Sequence, residues 1–227
     1  MQIVILAAGR GIRMGKLTDA IPKPMLQINH KPILAYKLES LPREIEEVIL
    51  VIGYLGDYIK AYFGAEYDGR KILYIEQRKL DGSGGALTLA KKLLKDEFLV
   101  MMGDDLYKQQ DILAIMKFDL AMLIMERENP TRFGVIHVDN EDNVFSIIEK
   151  EHIMGKAFVN TGLYKLHKNF FKYPLVSIGK GEFGLPQTLL TMNDAFQVKA
   201  VKATNWYAIG NPTDLENASM IINEFIS

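Results

Sequence analysis

The residues best equipped for chemistry lie close together near the N-terminus. They are Leu6-Ala7-Ala8-Gly9-Arg10-Gly11-Ile12-Arg13-Met14-Gly15, followed by Pro22-Lys23-Pro24. Glycines in such a run let backbone N–H groups approach an anion closely, and nearby cations neutralise it. From Gly9 to Lys31 the chain carries five basic residues, Arg10, Arg13, Lys16, Lys23 and Lys31, against a single acidic one, Asp19. The chain as a whole has a net charge of −1. A local cationic patch on a near-neutral chain fits a small anionic ligand, and it argues against nucleic acid as a partner. The segment from Ala8 to Lys23 therefore reads as a cradle for the phosphates of a nucleotide.

Two familiar glycine loops do not fit it. A Walker loop needs Gly, four residues and then Gly-Lys-Ser/Thr. Here Gly15-Lys16 is followed by Leu17, and the position five before Gly15 is Arg10. The dinucleotide fingerprint needs a glycine where Met14 stands, and it should run straight into a helix, which Pro22 and Pro24 oppose. A dehydrogenase is disfavoured on that ground. A long loop remains, with cations held between prolines. The bland alternative is a surface loop whose charges are merely solvated.

The loop has to be carried by a strand. Gln2–Leu6 is apolar enough for one, and in an open parallel sheet ligands bind beyond the carboxyl ends of strands. Strands are also expected at Val48–Ile52, Ile72–Ile75 and Phe98–Met102, with helices at Lys31–Leu41, Tyr54–Phe63 and Ser83–Leu94. This alternation implies βαβ units. The second half reads differently, with strands at Leu120–Met125, Gly134–Val138, Val144–Glu149 and Phe158–Leu166. The Asp-Asn pairs at 139–140 and 142–143 make Gly134–Lys150 a hairpin. A helix at Leu185–Met192, a strand near Phe196–Ala200 and a helix at Asp214–Phe225 complete the pattern. The expected fold class is α/β: a Rossmann-like nucleotide-binding domain with a mixed, mostly parallel sheet and an antiparallel insertion in the second half.

The chain has 227 residues, 48% of them hydrophobic, which suits one domain with a core of its own. With no cysteine, disulfides and thiolate metal sites are excluded, and a reducing cytoplasmic setting is the expectation. The opening apolar run is too short for a signal peptide, and no run approaches the ~18 residues of a membrane span. No membrane partner is expected, and the sequence leaves monomer and homo-oligomer open.

The loop residues, continued by Pro22-Lys23-Pro24-Met25 and Lys31-Pro32-Ile33-Leu34, resemble the signature of sugar-1-phosphate nucleotidylyltransferases. These enzymes join a nucleoside triphosphate to a sugar 1-phosphate and release pyrophosphate. Further segments resemble the family in order and spacing: Gln77 with Gly82-Ser83-Gly84-Gly85-Ala86-Leu87, Gly103-Asp104, Phe133-Gly134-Val135, Glu149-Lys150, Asn160-Thr161-Gly162, and Trp206 to Gly210 followed by Pro212. The chain stops soon after the last of them, so no acyltransferase β-helix or regulatory tail is expected in it.

The resemblance implies roles. Leu6, Ala8, Gly9, Gly11, Gln77 and Gly82 would hold the nucleotide, Gln77 and Gly82 at the base, with UTP or dTTP favoured. Ser83 would also cap the following helix. Arg13 would grip the leaving β- and γ-phosphates, and Lys23 the α-phosphate and the attacking phosphate. Asp104 would hold magnesium (Mg2+), which takes one or two carboxylates plus phosphate oxygens. Gly134, Glu149, Lys150 and Asn160 would contact the sugar phosphate. Two unit charges ~4 Å apart repel by roughly 4 kcal/mol at an effective dielectric of ~20. Bringing two phosphorylated substrates together is therefore mainly a matter of positioning and charge neutralisation.

One departure bears on catalysis. The family usually has an aspartate two residues after the tryptophan, where it helps hold magnesium, and this chain has Ala208. Substrate oxygens could fill the place, or Asp105, Asn211 or Asp214 could substitute. Otherwise the chain binds nucleotide sugars without turning them over. A cytidylyltransferase acting on a phosphorylated alcohol shares the N-terminal signature and is a further alternative.

Overall fold

The computed structural model describes residues 1–149 and 153–226. Ten strands form one sheet: Gln2–Ala7 (β1), Glu47–Ile52 (β2), Glu66–Tyr67 (β3), Arg70–Glu76 (β4), Glu97–Met102 (β5), Ala121–Glu128 (β6), Gly134–Val138 (β7), Val144–Glu149 (β8), Lys156–His167 (β9) and Lys199–Lys202 (β10). The order is β8-β7-β9-β5-β1-β2-β4-β3, with β6 paired to β9 and β10. The pairs β1/β2, β1/β5 and β2/β4 are parallel. The antiparallel strands of the second half extend this same sheet, because β9 lies antiparallel beside β5.

The central strands are apolar on both faces, and alternate residues serve the two layers. Ile3, Ile5, Val48 and Leu50 pack with Leu34 and Leu38 of α1 (Ile33–Glu39), and with Ile59 and Phe63 of α2 (Gly56–Phe63). Val4, Ile49 and Val51 pack with Leu87 and Ala90 of α3 (Gly82–Ala90). Two further helices follow the same i,i+3 or i,i+4 logic. Ile112 and Ile115 place α4 (Gln109–Ile115) on the first layer, and Leu185 and Leu189 place α5 (Leu185–Leu190) on the second. A last helix, α6 (Pro212–Ile221), is followed by a 3-10 turn at Ile222–Glu224 where the sequence pattern implied one longer helix. A third cluster joins it, through Ala218, to Met14, Leu106 and Ile209.

Chain order fixes where a site can lie. From β1 the chain winds outward to β2 and β4, then returns to lay β5 on the other side of β1. The crevice beyond the carboxyl ends of β1 and β5 is thus a topological switch point. A short antiparallel pair, Asp105–Tyr107 with Trp206–Ala208, closes that crevice and was not expected from the sequence. Neither was α4. No helix among the described residues is long and apolar enough to cross a membrane.

Candidate active site

The loop after β1 is more structured than its composition implies. Ile12–Thr18 makes 3-10 turns kinked at Gly15 (φ 58°, ψ −136°), and Thr18 Oγ1 donates to the carbonyls of Gly11 and Gly15. Gly11 has φ +67°, and a Cβ there would sit 2.9 Å from Lys23 Cβ. Only glycine lets the loop fold over Lys23 in this way. Lys23 lies on a second 3-10 turn between Pro22 and Pro24, almost fully buried, and its ammonium pairs with the Asp104 carboxylate. Arg13 is exposed and has no hydrogen-bond or ion-pair partner among the described residues. The Arg10 guanidinium lies 5.2 Å from the Tyr54 ring centre. A Cβ on Gly9 would meet no protein atom within 4 Å, which leaves open space at that point of the loop.

The segment after β4 supplies the far wall. Gln77 is buried and its Nε2 donates to Asp81 Oδ1 (3.0 Å) and to the Gly82 carbonyl (3.3 Å). The amide oxygen has no protein partner among the described residues. Gly82 has φ +90°, and a Cβ there would lie 2.4 Å from the Phe183 carbonyl oxygen, so the hairpin Val176–Gly184 packs directly on it. Ser83 does not cap α3. The helix begins one residue earlier, at Gly82, and Ser83 Oγ instead accepts from the Leu185 N–H (3.0 Å) at the start of α5.

The acidic pair after β5 divides its work. Asp104 stands at the crevice beside Lys23. The Asp105 carboxylate is turned inward and accepts from Trp206 Nε1 (3.2 Å). Burial, reinforced by the neighbouring Asp104, pushes its pKa up to about 7. Beneath it the buried Lys37 ammonium donates to the Asp105 carbonyl and lies 4.4 Å from the Tyr107 ring centre, and burial lowers its pKa to about 7. Ala208 faces Asp105 in register across the short strand pair. Asn211 and Asp214, the other candidates for the place of the family's aspartate, both take part in the cap of α6. Asn211 Oδ1 accepts from the Asp214 N–H (2.9 Å). Asp214 Oδ2 accepts from the backbone of Gly210 (2.8 Å) and Asn211 (3.1 Å) and from Arg132 Nη2 (2.8 Å).

The second-half residues converge on the same place. Gly162 has φ +80° and a Cβ there would strike Met102 Cγ at 2.5 Å, so β9 is pressed against the end of β5 where its register shifts. Asn160 accepts from the Gly162 N–H (3.0 Å) and exchanges hydrogen bonds with the Tyr164 hydroxyl (2.7 and 3.0 Å). Glu149 Oε1 accepts from Gln187 Nε2 (3.1 Å). Gly134 is buried opposite Glu149 and does not line the crevice, where Phe133 stands instead. A Cβ on Gly134 would lie 2.9 Å from Glu149 Oε1, so this glycine serves by leaving Glu149 room. Lys150 lies outside the described residues.

These parts form two clefts, of about 460 and 320 Å³. The larger is lined by Leu6, Ala8, Gly9, Gly11, Gln77 and Gly82, and the smaller by Glu149 and Asn160. They share Arg13, Lys23 and Asp104. Sequence reasoning missed Leu80 and Glu182 in the first cleft, and Arg132 and Gln187 in the second. Only Arg132 carried a signal, its position just before Phe133-Gly134-Val135.

Comparison with known proteins assigns the family. The family model described as nucleotidyl transferase matches residues 2–224, and the chain belongs to that family. The resemblance of its motifs to sugar-1-phosphate nucleotidylyltransferases stands. The chain is 34% identical to the bifunctional protein GlmU of Methanococcus maripaludis over 233 residues, covering 100% of this chain and 56% of that protein. It thus spans about half the length of such relatives. It is 28% identical to the UTP–glucose-1-phosphate uridylyltransferase AglF of Haloferax volcanii, covering 99% of this chain and 97% of that one. Among solved structures, HddC of Yersinia pseudotuberculosis in complex with GMP-PN superposes with a TM-score of 0.75 at 27% identity, covering 97% of this chain and 99% of that chain.

Proposed function

We propose that this chain joins a nucleoside triphosphate to a sugar 1-phosphate, giving a nucleoside-diphosphate sugar and pyrophosphate. The observation that carries the proposal is the meeting of two clefts at Arg13, Lys23 and Asp104. The larger cleft takes the triphosphate and the smaller the sugar phosphate. A phosphate oxygen of the sugar attacks the α-phosphorus, the bond to the bridging oxygen of the β-phosphate breaks, and pyrophosphate leaves. The nucleophile is already anionic, so no side chain has to move a proton.

Arg13 binds the β- and γ-phosphates with its planar fork and stabilises the charge that develops there. Lys23, framed by prolines and held by Asp104, sits where the two phosphates meet. The donor set fits magnesium: Asp104 offers one carboxylate at the junction, and the substrates bring phosphate oxygens. Bound there, the ion would supply further neutralisation of the triphosphate. For the base we propose a pyrimidine, UTP or dTTP, because the unpartnered amide oxygen of Gln77 can accept from the ring imide N–H. One relative is named for UTP and another is held with GMP-PN, so the test must include GTP.

The test is pyrophosphate release, with magnesium, from UTP, dTTP, GTP and CTP, each paired with a panel of sugar 1-phosphates and with phosphocholine. Release with a sugar 1-phosphate is expected. Release with CTP and phosphocholine alone would shift the assignment to the cytidylyltransferase. Ala208 supports a second function, nucleotide-sugar binding without turnover. Binding with no release, and release restored by Ala208→Asp, would establish that one.

A further inference from the structure

We propose that Arg132 is a phosphate-binding residue of the smaller cleft, gripping the phosphate of the sugar 1-phosphate; this rests on the function proposed above. A Cβ placed on Gly210 would lie 2.8 Å from Arg132 Nη2, 3.2 Å from Asp214 Oδ2 and 3.6 Å from Arg13 Nη1. Two guanidinium tips thus converge on a residue with no side chain, two positions beyond Ala208. Arg13 lines both clefts and Arg132 only the smaller one. That places Arg132 on the acceptor's side of the junction.

Like charges converge at a cost unless something anionic lies between or beside them. Arg132 spends Nη2 on Asp214 Oδ2, which is itself fixed by the Gly210 and Asn211 N–H groups. Its other nitrogens have no hydrogen-bond partner among the described residues, and its side chain is 50% exposed. Asp214 thus acts as an orienting group that leaves the rest of the fork free. Among the described residues that line the smaller cleft, Arg132 is the cation that the larger cleft does not share, and its free nitrogens can meet the phosphate of an incoming sugar phosphate. The alternative is a half-exposed ion pair with Asp214 that contributes little beyond local stability.

The chain's single tryptophan, Trp206, lines the smaller cleft and reports on its occupancy. Its fluorescence is followed while glucose 1-phosphate or inorganic phosphate is added to the unaltered chain, to Arg132→Gln and to Arg132→Lys. KM values for triphosphate and sugar 1-phosphate are measured alongside. Arg132→Gln is expected to weaken sugar 1-phosphate binding and raise its KM by roughly tenfold. The triphosphate KM and the melting temperature stay unchanged, and Arg132→Lys recovers part of the loss. Unchanged sugar 1-phosphate affinity, an equal shift in both KM values, or a lowered melting temperature without the KM split overturns the proposal. So does a Trp206 signal that no phosphate ligand perturbs. If the unaltered chain releases no pyrophosphate yet Arg132→Gln loses phosphate affinity, the proposed function fails and the Arg132 assignment stands. If Arg132→Gln turns over with an unchanged sugar 1-phosphate KM, the proposed function stands and the Arg132 assignment fails.

Discussion

The two clefts are made from different materials. The larger is built largely from backbone: the turn after β1, the glycines opening α3, and the close fit of Gly103, whose Cβ would lie 2.8 Å from the Leu6 carbonyl oxygen. The smaller is built from side chains that arrive on separate elements, Arg132 and Phe133 before β7, Glu149 on β8, Asn160 on β9, Gln187 on α5 and Trp206 near the C-terminal end. Backbone geometry at a strand–helix switch point can hold phosphates with little dependence on which nucleotide carries them. Recognition of a particular sugar has to come from side chains, and side chains can be exchanged one at a time.

Substitutions at the shared wall test this contrast most severely. Asp104→Asn keeps an acceptor for Lys23, so the fold survives, but turnover should fall by roughly a thousandfold. Chelation of divalent ions should abolish turnover in the unaltered chain. Turnover that survives both would remove Asp104 from the metal site. Arg13→Gln should lower kcat by roughly a hundredfold. Because Arg13 is exposed and has no partner among the described residues, its melting curve should stay within about 0.5 kcal/mol of the unaltered chain. A marked loss of stability would make Arg13 a structural residue.

The glycines sharpen the comparison within the larger cleft. Gly82→Ala forces a Cβ against the Phe183 carbonyl at φ +90°, and should cost about 1–3 kcal/mol in denaturant melts. Gly9→Ala meets no protein atom, so the same melts should barely move while the triphosphate KM rises. If both variants lose only stability, the loop is scaffold and does not bind phosphate. The smallest effect is expected in the smaller cleft. Asn160→Ala should raise the sugar 1-phosphate KM by roughly tenfold or less and leave the triphosphate KM alone. A shift in the triphosphate KM instead would join the two clefts into one site.

Much of the larger cleft was legible because its parts are contiguous in sequence. Gly9, Gly11 and Arg13 lie on one turn, which composition and spacing single out, while Gln77 and Gly82 lie on another, which the resemblance to the family picked out. The mixed sheet was legible for a similar reason, since β1, β2 and β5 are unbroken apolar runs. That Asp105 points away from Asp104 was expected for neighbours in the chain, but what holds it there was not. It depends on Trp206, about a hundred residues away, donating to one carboxylate across a strand pair of only three residues each. The setting of Gly134 was not legible for a related reason: its neighbour Phe133 faces the cleft, while its own place is set by Glu149 on the next strand.

The amino-acid sequence by itself determined the apolar β–α alternation, the glycine and proline positions that shape the loop after β1, and the family to which the motifs belong. The first two are local properties, written in the periodicity and backbone preferences of short segments, and the third rests on the resemblance of the motifs. The tertiary structure decided how the cations and carboxylates divide. It pairs Lys23 with Asp104, turns Asp105 inward, engages Asn211 and Asp214 in the cap of α6, and points Arg132 and Arg13 at Gly210. Such assignments depend on distances of a few ångströms between residues far apart in the chain, and no local pattern encodes those distances.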